Sequence, residues 1–408
     1  MKLMKTRFFV VLALSLFSAP LPVRGIELYY QFKTGDRYRV VSTVTEDVYV
    51  DQRLSYKAEI LSRISMEITG VTGGLARYSA VFQSAEKTVA AASGARTGEG
   101  QPFRWSRDYQ SEFDQDRLGR MTVGDQYYMP QVRNLPVFPG RDLNPGDTWT
   151  ADGLEVHDFR DNYRIDRPYR IPFTARYTFL GGREYKGRVY PAFSVSYRIF
   201  AEPDPVPGKI FPRRILGASD QVVYWDTEHC QAAAYTEHFR TVFDLSDGQT
   251  WEYRGRAEAE VVEAPVMNKE EMAREIADEI GDIPDASVRV SDEGIVINLE
   301  NIQFAPDSAA LSPGEWPKLD KIAGILLKYP DRDILVGGHT ALAGTAAMRD
   351  RLSEERASAV ADYLLSKKVR TPDRMVVRGY GAERPMGDNN TETGRQKNRR
   401  VEITILEN

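Results

Sequence analysis

The residues best placed to do chemistry lie late in the chain. A strand-like run at 334–336 leads into Gly337-Gly338-His339-Thr340, and Leu352, Ala357, Val360 and Leu364 then recur at helical spacing. At a strand end that opens onto a helix, backbone donors and side chains converge. Arg356 on that helix is a permanently charged, planar cation. His339, Thr340, Asn398 and Arg399 add further polar groups, yet the residue after Thr340 is only Ala341. His339 has no nucleophile or second histidine spaced to join it, so no catalytic constellation emerges and no enzyme activity is expected. Cys230 is the only cysteine, beside His229 and near His238. Strand neighbours point to opposite faces and no second cysteine supplies ligand spacing, so Cys230 reads as a small buried side chain, with no metal and no cofactor expected. Each cation also has a plainer reading. Arg356 could pair at the surface with Asp350 or Glu355, and Arg399 and Arg400 could serve the fold, the first turned to the helices and the second to water.

The elements that position these groups follow from composition and periodicity. The chain has 408 residues, a net charge of −5 and a pI near 5.7, which leaves no electrostatic footprint for nucleic acid. Lys2, Lys5 and Arg7 precede an apolar run at 8–17 that is too short to span a bilayer, so residues 1–25 read as a signal peptide and the mature chain as exported. From 26 to 263 the pattern alternates with period two: Tyr56, Ala58, Ile60, Ile64, Met66 and Ile68 on one face, Lys57, Glu59, Arg63 and Glu67 on the other. Runs at 169–179 and 251–261 repeat the device, and such strands bury one face, the antiparallel habit. Gly73-Gly74, Gly181-Gly182 and Asp247-Gly248 read as hairpin turns. Residues 90–101 read as a mobile loop, and Pro130, Pro136, Pro139 and Pro145 allow a sub-boundary near 130–150. The expectation is an all-β sandwich or half-barrel; a membrane barrel shares the same alternation and stays open as an alternative.

At 264–284 a helix is expected, either a linker that joins the halves or a part of the next domain packed onto it. Asn268 and Glu271 have capping-box spacing, with Met272, Ile276 and Ile280 on one stripe. Residues 285–408 then alternate strand and helix, which implies a βαβαββ unit with a mixed sheet. Ser312-Pro313-Gly314-Glu315 opens a helix whose buried stripe is Trp316, Leu319, Ile322, Ile325 and Leu326.

In this last segment several spaced motifs occur in order: Phe304 with Asp307-Ser308 and Leu311; Gly338-His339-Thr340 with Gly344; Leu352-Ser353 with Arg356-Ala357; Gly379-Tyr380-Gly381 with Pro385; and Gly394-Arg395 with Asn398-Arg399-Arg400-Val401-Glu402-Ile403. Together they resemble the OmpA-like C-terminal domain, the peptidoglycan-binding module of outer-membrane-associated proteins. The resemblance covers about a quarter of the chain and leaves the β-region outside it. It implies a site for the diaminopimelate of the peptidoglycan stem peptide, in which an acid after Gly-His-Thr pairs with the ammonium and the arginine at Arg356 holds the carboxylate. By the same resemblance Thr340, His339, Asn398 and Arg399 belong to that site. The chain departs from the family pattern at three positions: Ala341 replaces the usual Asp, Ala305 an Asp or Asn, and Arg349 an Asn. The implied protein is a non-enzymatic envelope protein of a diderm bacterium, periplasmic or outer-membrane associated. Its β-domain would hold another outer-membrane or periplasmic partner. The alternatives are a pore with a periplasmic anchor and a β-cup for an apolar ligand.

Overall fold

The computed structural model describes residues 25–91, 102–262, 267–300, 302, 304 and 309–407. The expected signal segment, most of the 90–101 loop, and Ala305, Asp307 and Ser308 lie outside the described residues.

The N-terminal region is a single antiparallel meander. Its strands are β1 (Arg37–Val50), β2 (Arg53–Thr72), β3 (Leu75–Ala91), β4 (Phe103–Asp116), β5 (Met121–Val123), β6 (Val132–Arg133) and β7 (Thr148–Phe159). After a short helix α1 (Arg160–Tyr163) come β8 (Ile165–Tyr185), β9 (Arg188–Ala201), β10 (Pro212–Asp226), β11 (Gln231–Leu245) and β12 (Thr250–Val262). Sequence neighbours pair throughout, except that β12 returns to pair with β1 rather than with a new neighbour, and β5 does not pair with β6. The spatial order is therefore β5-β4-β3-β2-β1-β12-β11-β10-β9-β8-β7-β6.

Side chains show that this sheet curls into a half-barrel. Tyr109 on β4 donates to Asp158 on β7 at 2.9 Å, although those strands lie near opposite ends of the order. Phe159 on β7 meets Phe243 on β11 edge to face at 5.4 Å. The concave side is packed with rings, among them Phe138, Tyr177, Phe193 and Trp225, while Arg176, Arg198, Arg254 and Arg256 stand outside. The alternation of β8 is the direct cause, since each odd residue from Tyr169 to Phe179 is buried. Gly181-Gly182 is not a turn. It lies within β8 at a register shift, a bulge for which Gly181 takes φ +73°, and the chain reverses instead at Lys186-Gly187.

The C-terminal region contains α2 (Lys269–Ile280), β13 (Ala286–Val290), β14 (Gly294–Glu300), α3 (Trp316–Leu326), β15 (Ile334–Gly338), α4 (Ala346–Ser366), β16 (Met375–Gly379), α5 (Glu392–Asn398) and β17 (Arg400–Leu406). Its mixed sheet runs β13-β14-β17-β15-β16, with β15 and β16 parallel. The Asn268 side chain caps α2, accepting from the Glu271 amide, and Ile276 and Ile280 pack into the same core as α3, α4 and this sheet. Trp316 does not belong to the buried stripe of α3: it is 47% exposed and stacks on Tyr363.

The two regions are joined through the second face of the mixed sheet. Leu335, Val376 and Leu406 form a small core with Leu61, Ala85, Phe103 and Trp105 of the half-barrel. β4 adds to the free edge of β16 in parallel, Val376 opposite Phe103. Arg63 on β2 pairs with Asp333, and Arg378 on β16 donates to Asp108 at 2.7 Å. Every residue of β17 is buried, its polar alternates Arg400, Glu402 and Thr404 included.

Candidate functional site

Small residues at two strand ends let helix α4 close over the sheet. A Cβ on Gly338 would lie 1.9 Å from the Ser353 carbonyl, and one on Gly379 would lie 2.7 Å from that of Asp350. Without side chains at these positions, β15 and β16 run directly beneath the N-terminal half of α4. The Thr345 hydroxyl caps that helix by accepting from the Met348 amide at 3.3 Å. The loop leaving β15 is then tied down residue by residue. Thr340 N–H donates to the Gly381 carbonyl at 2.8 Å, and Gly381 N–H donates to Ser353 Oγ at 2.9 Å. Leu342 N–H donates to Asn389 Oδ1 at 2.9 Å.

Asn398 organises the neighbouring loop. Its side-chain oxygen accepts from the amides of Met386 and Gly387 at 2.7 and 2.8 Å, and its nitrogen donates to Gly387 O and Asn389 Oδ1, both at 2.9 Å. With 1% exposure it is a positioning residue that places the Asn389 acceptor under Leu342 and sets Arg399 beside the helix.

Three arginines converge on this region. Arg349 donates to the Gly344 carbonyl at 2.6 Å, and Arg399 pairs with Glu392 at 2.7 Å. Arg356 lies with its guanidinium carbon 4.9 Å from the Phe304 ring centroid, a cation–π contact. Neither surface partner expected for Arg356 engages it: Glu355 instead approaches Arg351 at 3.6 Å, and among the described residues Arg356 has no carboxylate partner. Its buried Nε has no hydrogen-bond partner at all. Burial, and then the like charge of Arg399, lower its pKa, which means the charged form is held in a place that lacks a counter-ion. Thr340 Oγ1 is buried and unpartnered as well, and Ala341 beside it is only 6% exposed. Arg356 Nε and Thr340 Oγ1 are thus two buried polar atoms of this region without a hydrogen-bond partner.

His339 is not brought to the arginines. It is 1% exposed, stacks on Tyr380 at 4.8 Å, and faces Glu402 on the side of the sheet away from α4, with Nε2 3.6 Å from Glu402 Oε2. That separation is too long for a hydrogen bond. Burial lowers the His339 pKa against the pull of Glu402. Glu402 is pushed up by burial, but His339 and Arg400 outweigh this and hold it at about 2. Arg400 does not point to water: it is 3% exposed and donates to Glu402 at 2.9 Å and to the Arg384 carbonyl at 3.0 Å. The strand alternation was read correctly, but Arg289, His339 and Arg384 of the same domain lie where solvent was expected. Sequence reasoning missed Asn389 and Glu392; one stood in an Asn-Asp turn cluster and the other in a charged helix start, with nothing to mark either.

Residues 303–399 match the model of the OmpA family. The C-terminal segment is an OmpA-like domain. Similar stretches occur in outer membrane porin F of Pseudomonas fluorescens, 35% identical over 27% of this chain and 34% of the porin. Peptidoglycan-binding protein ArfA of Mycobacterium tuberculosis is 38% identical over 26% of this chain and 32% of ArfA. The probable lipoprotein YiaD of Escherichia coli is 36% identical over 29% of this chain and 54% of YiaD. The chain thus spans about a third to a half of the length of these relatives, and the half-barrel lies outside the family-matched residues 303–399.

Proposed function

We propose that this is an exported structural protein of the cell envelope, periplasmic or outer-membrane associated, whose OmpA-like domain contacts peptidoglycan while the half-barrel holds a second envelope partner. The observation that carries the reading is Arg356, a guanidinium of the domain with a buried, unpartnered Nε. The stem-peptide carboxylate is its natural counter-ion, and a relative of this domain is named for binding peptidoglycan. In this reading Thr340 and Arg399 share the ligand with Arg356, while His339 and Asn398 support the loops that carry them. With Ala341 in place of an acid, no group there neutralises the ammonium of diaminopimelate, so the family's usual ligand is held by one end only.

The half-barrel's surfaces favour this reading over a pore. A membrane barrel needs an apolar band outside and polar groups within. Here the rings are inside, and Arg254, Arg256 and Glu258 are exposed on one outer strand face. The same filled interior disfavours an apolar cup. The test is co-sedimentation of the purified chain with isolated sacculi: the unmodified protein should pellet, and Arg356→Ala should lower the bound fraction at least tenfold, the equivalent of about 1.4 kcal/mol or more. Equal pelleting of the two would refute the role given to Arg356.

A further inference from the structure

A cavity of about 660 Å³ opens at the seam where β4 meets β7 and α1. Residues 108–110 of β4, the loop at 126–128, and Arg160, Asp161 and Asp166 line it. It is open to water: Gln110, Gln126, Asp161 and Asp166 are exposed, and Tyr109, Tyr127 and Tyr128 are half-buried. The loop is tied down from several sides. Arg133, 4% exposed, donates to the Tyr127 carbonyl at 2.6 Å, and Arg170 donates to the Asp125 carbonyl at 2.7 Å. The Tyr128 hydroxyl donates to the Asp166 carbonyl at 2.8 Å. The cavity is therefore preformed, and a ligand has little of it left to order.

The lining specifies a ligand class. Asp108 and Arg160 already hold opposite charges, Arg378 at 2.7 Å and Asp158 at 2.6 Å. Asp161 and Asp166 are exposed, where an ion pair is worth little, and they oppose an anion. An apolar ligand would strip water from the carboxylates and from both glutamines without replacing it. Glutamine amides, which both donate and accept, together with carboxylate acceptors suit a neutral ligand rich in hydroxyl groups. The rings add a second feature. Tyr109 and Tyr128 lie 6.5 Å apart, and Arg160 covers Tyr128 at 3.8 Å. Tyr127 meets no other ring and no cation among the described residues, which leaves its ring for a ligand. The electron-rich face of an aromatic ring attracts the weakly positive C–H patch of a sugar.

We propose that this cavity binds a saccharide and, resting on the peptidoglycan reading above, that the sugar is the glycan strand of the same wall. The half-barrel's partner is then the glycan, while the OmpA-like domain takes the stem peptide. The junction between the domains supports that source. Asp108 at the cavity wall pairs with Arg378 of β16, and the next residue, Gly379, lies beneath α4, the helix that carries Arg356. Cavity and helix are held in a fixed relation, so one stretch of wall can engage both.

The experiment is calorimetry on the full chain with peptide-free glycan strands, tetra-N-acetylchitotetraose and maltotetraose. The first two should bind, and maltotetraose should bind at least tenfold more weakly. Tyr127→Ala should weaken binding about tenfold, as expected when one aromatic contact is lost, and Tyr127→Phe should retain it. Gln126→Ala, at an exposed loop position, should also weaken it with an unchanged melting profile. If no saccharide binds, or if binding is indifferent to both Tyr127→Ala and Gln126→Ala, the cavity assignment is overturned. Equal binding of maltotetraose overturns the glycan strand as the source. Arg356→Ala should leave saccharide binding intact while lowering the pelleting with sacculi, so failure of the stem-peptide reading is seen separately from failure of this one.

Discussion

Asp333→Ala should disconnect the half-barrel from the OmpA-like domain. One carboxylate oxygen of Asp333 accepts from Arg63 on β2, and the other accepts from Arg374 Nε at 2.7 Å. The Arg63 and Asp333 side chains are 12% and 14% exposed, so this pair is nearly removed from water. Deleting the acid leaves the Arg63 guanidinium enclosed without a counter-ion, and breaking a buried pair in this way costs about 3–5 kcal/mol. Arg374 is 34% exposed, so its share is that of a surface pair, below about 1 kcal/mol. The expected loss is therefore about 3–5 kcal/mol, almost all of it from Arg63. Urea unfolding would measure it, with hydrogen exchange at Phe103 to Trp105 and Met375 to Val377 as the local readout. Those amides should exchange faster in the variant, because the β4–β16 pairing rests on the same junction. Replacing both partners by apolar residues, Arg63→Met with Asp333→Leu, should restore most of the stability, since the penalty lies in the stranded charge. A loss below about 1 kcal/mol for Asp333→Ala, with unchanged exchange at both strands, would refute the buried junction.

Two further outcomes follow from other buried polar groups. Burial and the neighbouring Glu86 push the Glu46 carboxyl up to about 7 from an ordinary 4.5, so the folded state favours the protonated form. That contribution is complete below pH 4.5 and disappears as the pH rises through 7; Glu46→Gln should therefore add roughly 1–3 kcal/mol at pH 8 and much less at pH 4.5, read from melting curves at both values. A stability gain that does not depend on pH would contradict this. Asn398→Ala removes the acceptor of the Met386 and Gly387 amides, two partly buried donors, and should cost about 1–3 kcal/mol in thermal unfolding, whereas Asn398→Asp, which keeps the acceptor, should cost less.

Local pattern was enough for much of this molecule. The odd-numbered residues of β8 face inward because strand side chains alternate, whatever lies beyond them. The cap at Asn268 and the stripe Ile276–Ile280 could be read because helix ends and helix faces repeat over three or four residues. The Gly-His-Thr and Leu-Ser-x-x-Arg-Ala motifs could be read for the same reason: short turns and close contacts demand particular residues at fixed spacing. These properties depend on neighbours in the chain, and the sequence alone determined them.

What lies across from each surface was decided only in three dimensions. Arg400, Glu402 and Thr404 have the polar alternation of a solvent-facing strand, yet all three are buried: Glu402 meets Arg289 and His339, Arg400 meets the Arg384 carbonyl, and Leu406 on the same face packs on Leu61, Phe103 and Trp105 of the half-barrel. Trp316 has the spacing of a core residue, but the stripe turns away from it onto Tyr363. Gly181-Gly182 carries the residues of a turn, and the strand's need to bend in the curl made it a bulge instead. Asn389 entered the region through a hydrogen bond to a residue 47 positions earlier, a distance over which no periodicity holds. The sequence by itself determined which residues could form strands and helices, because those depend on local geometry. Only the tertiary structure determined that Arg356 is left unpaired, that Ala341 is enclosed, and that a second domain closes the sheet, because each depends on which distant surface exclusion from water brings into contact.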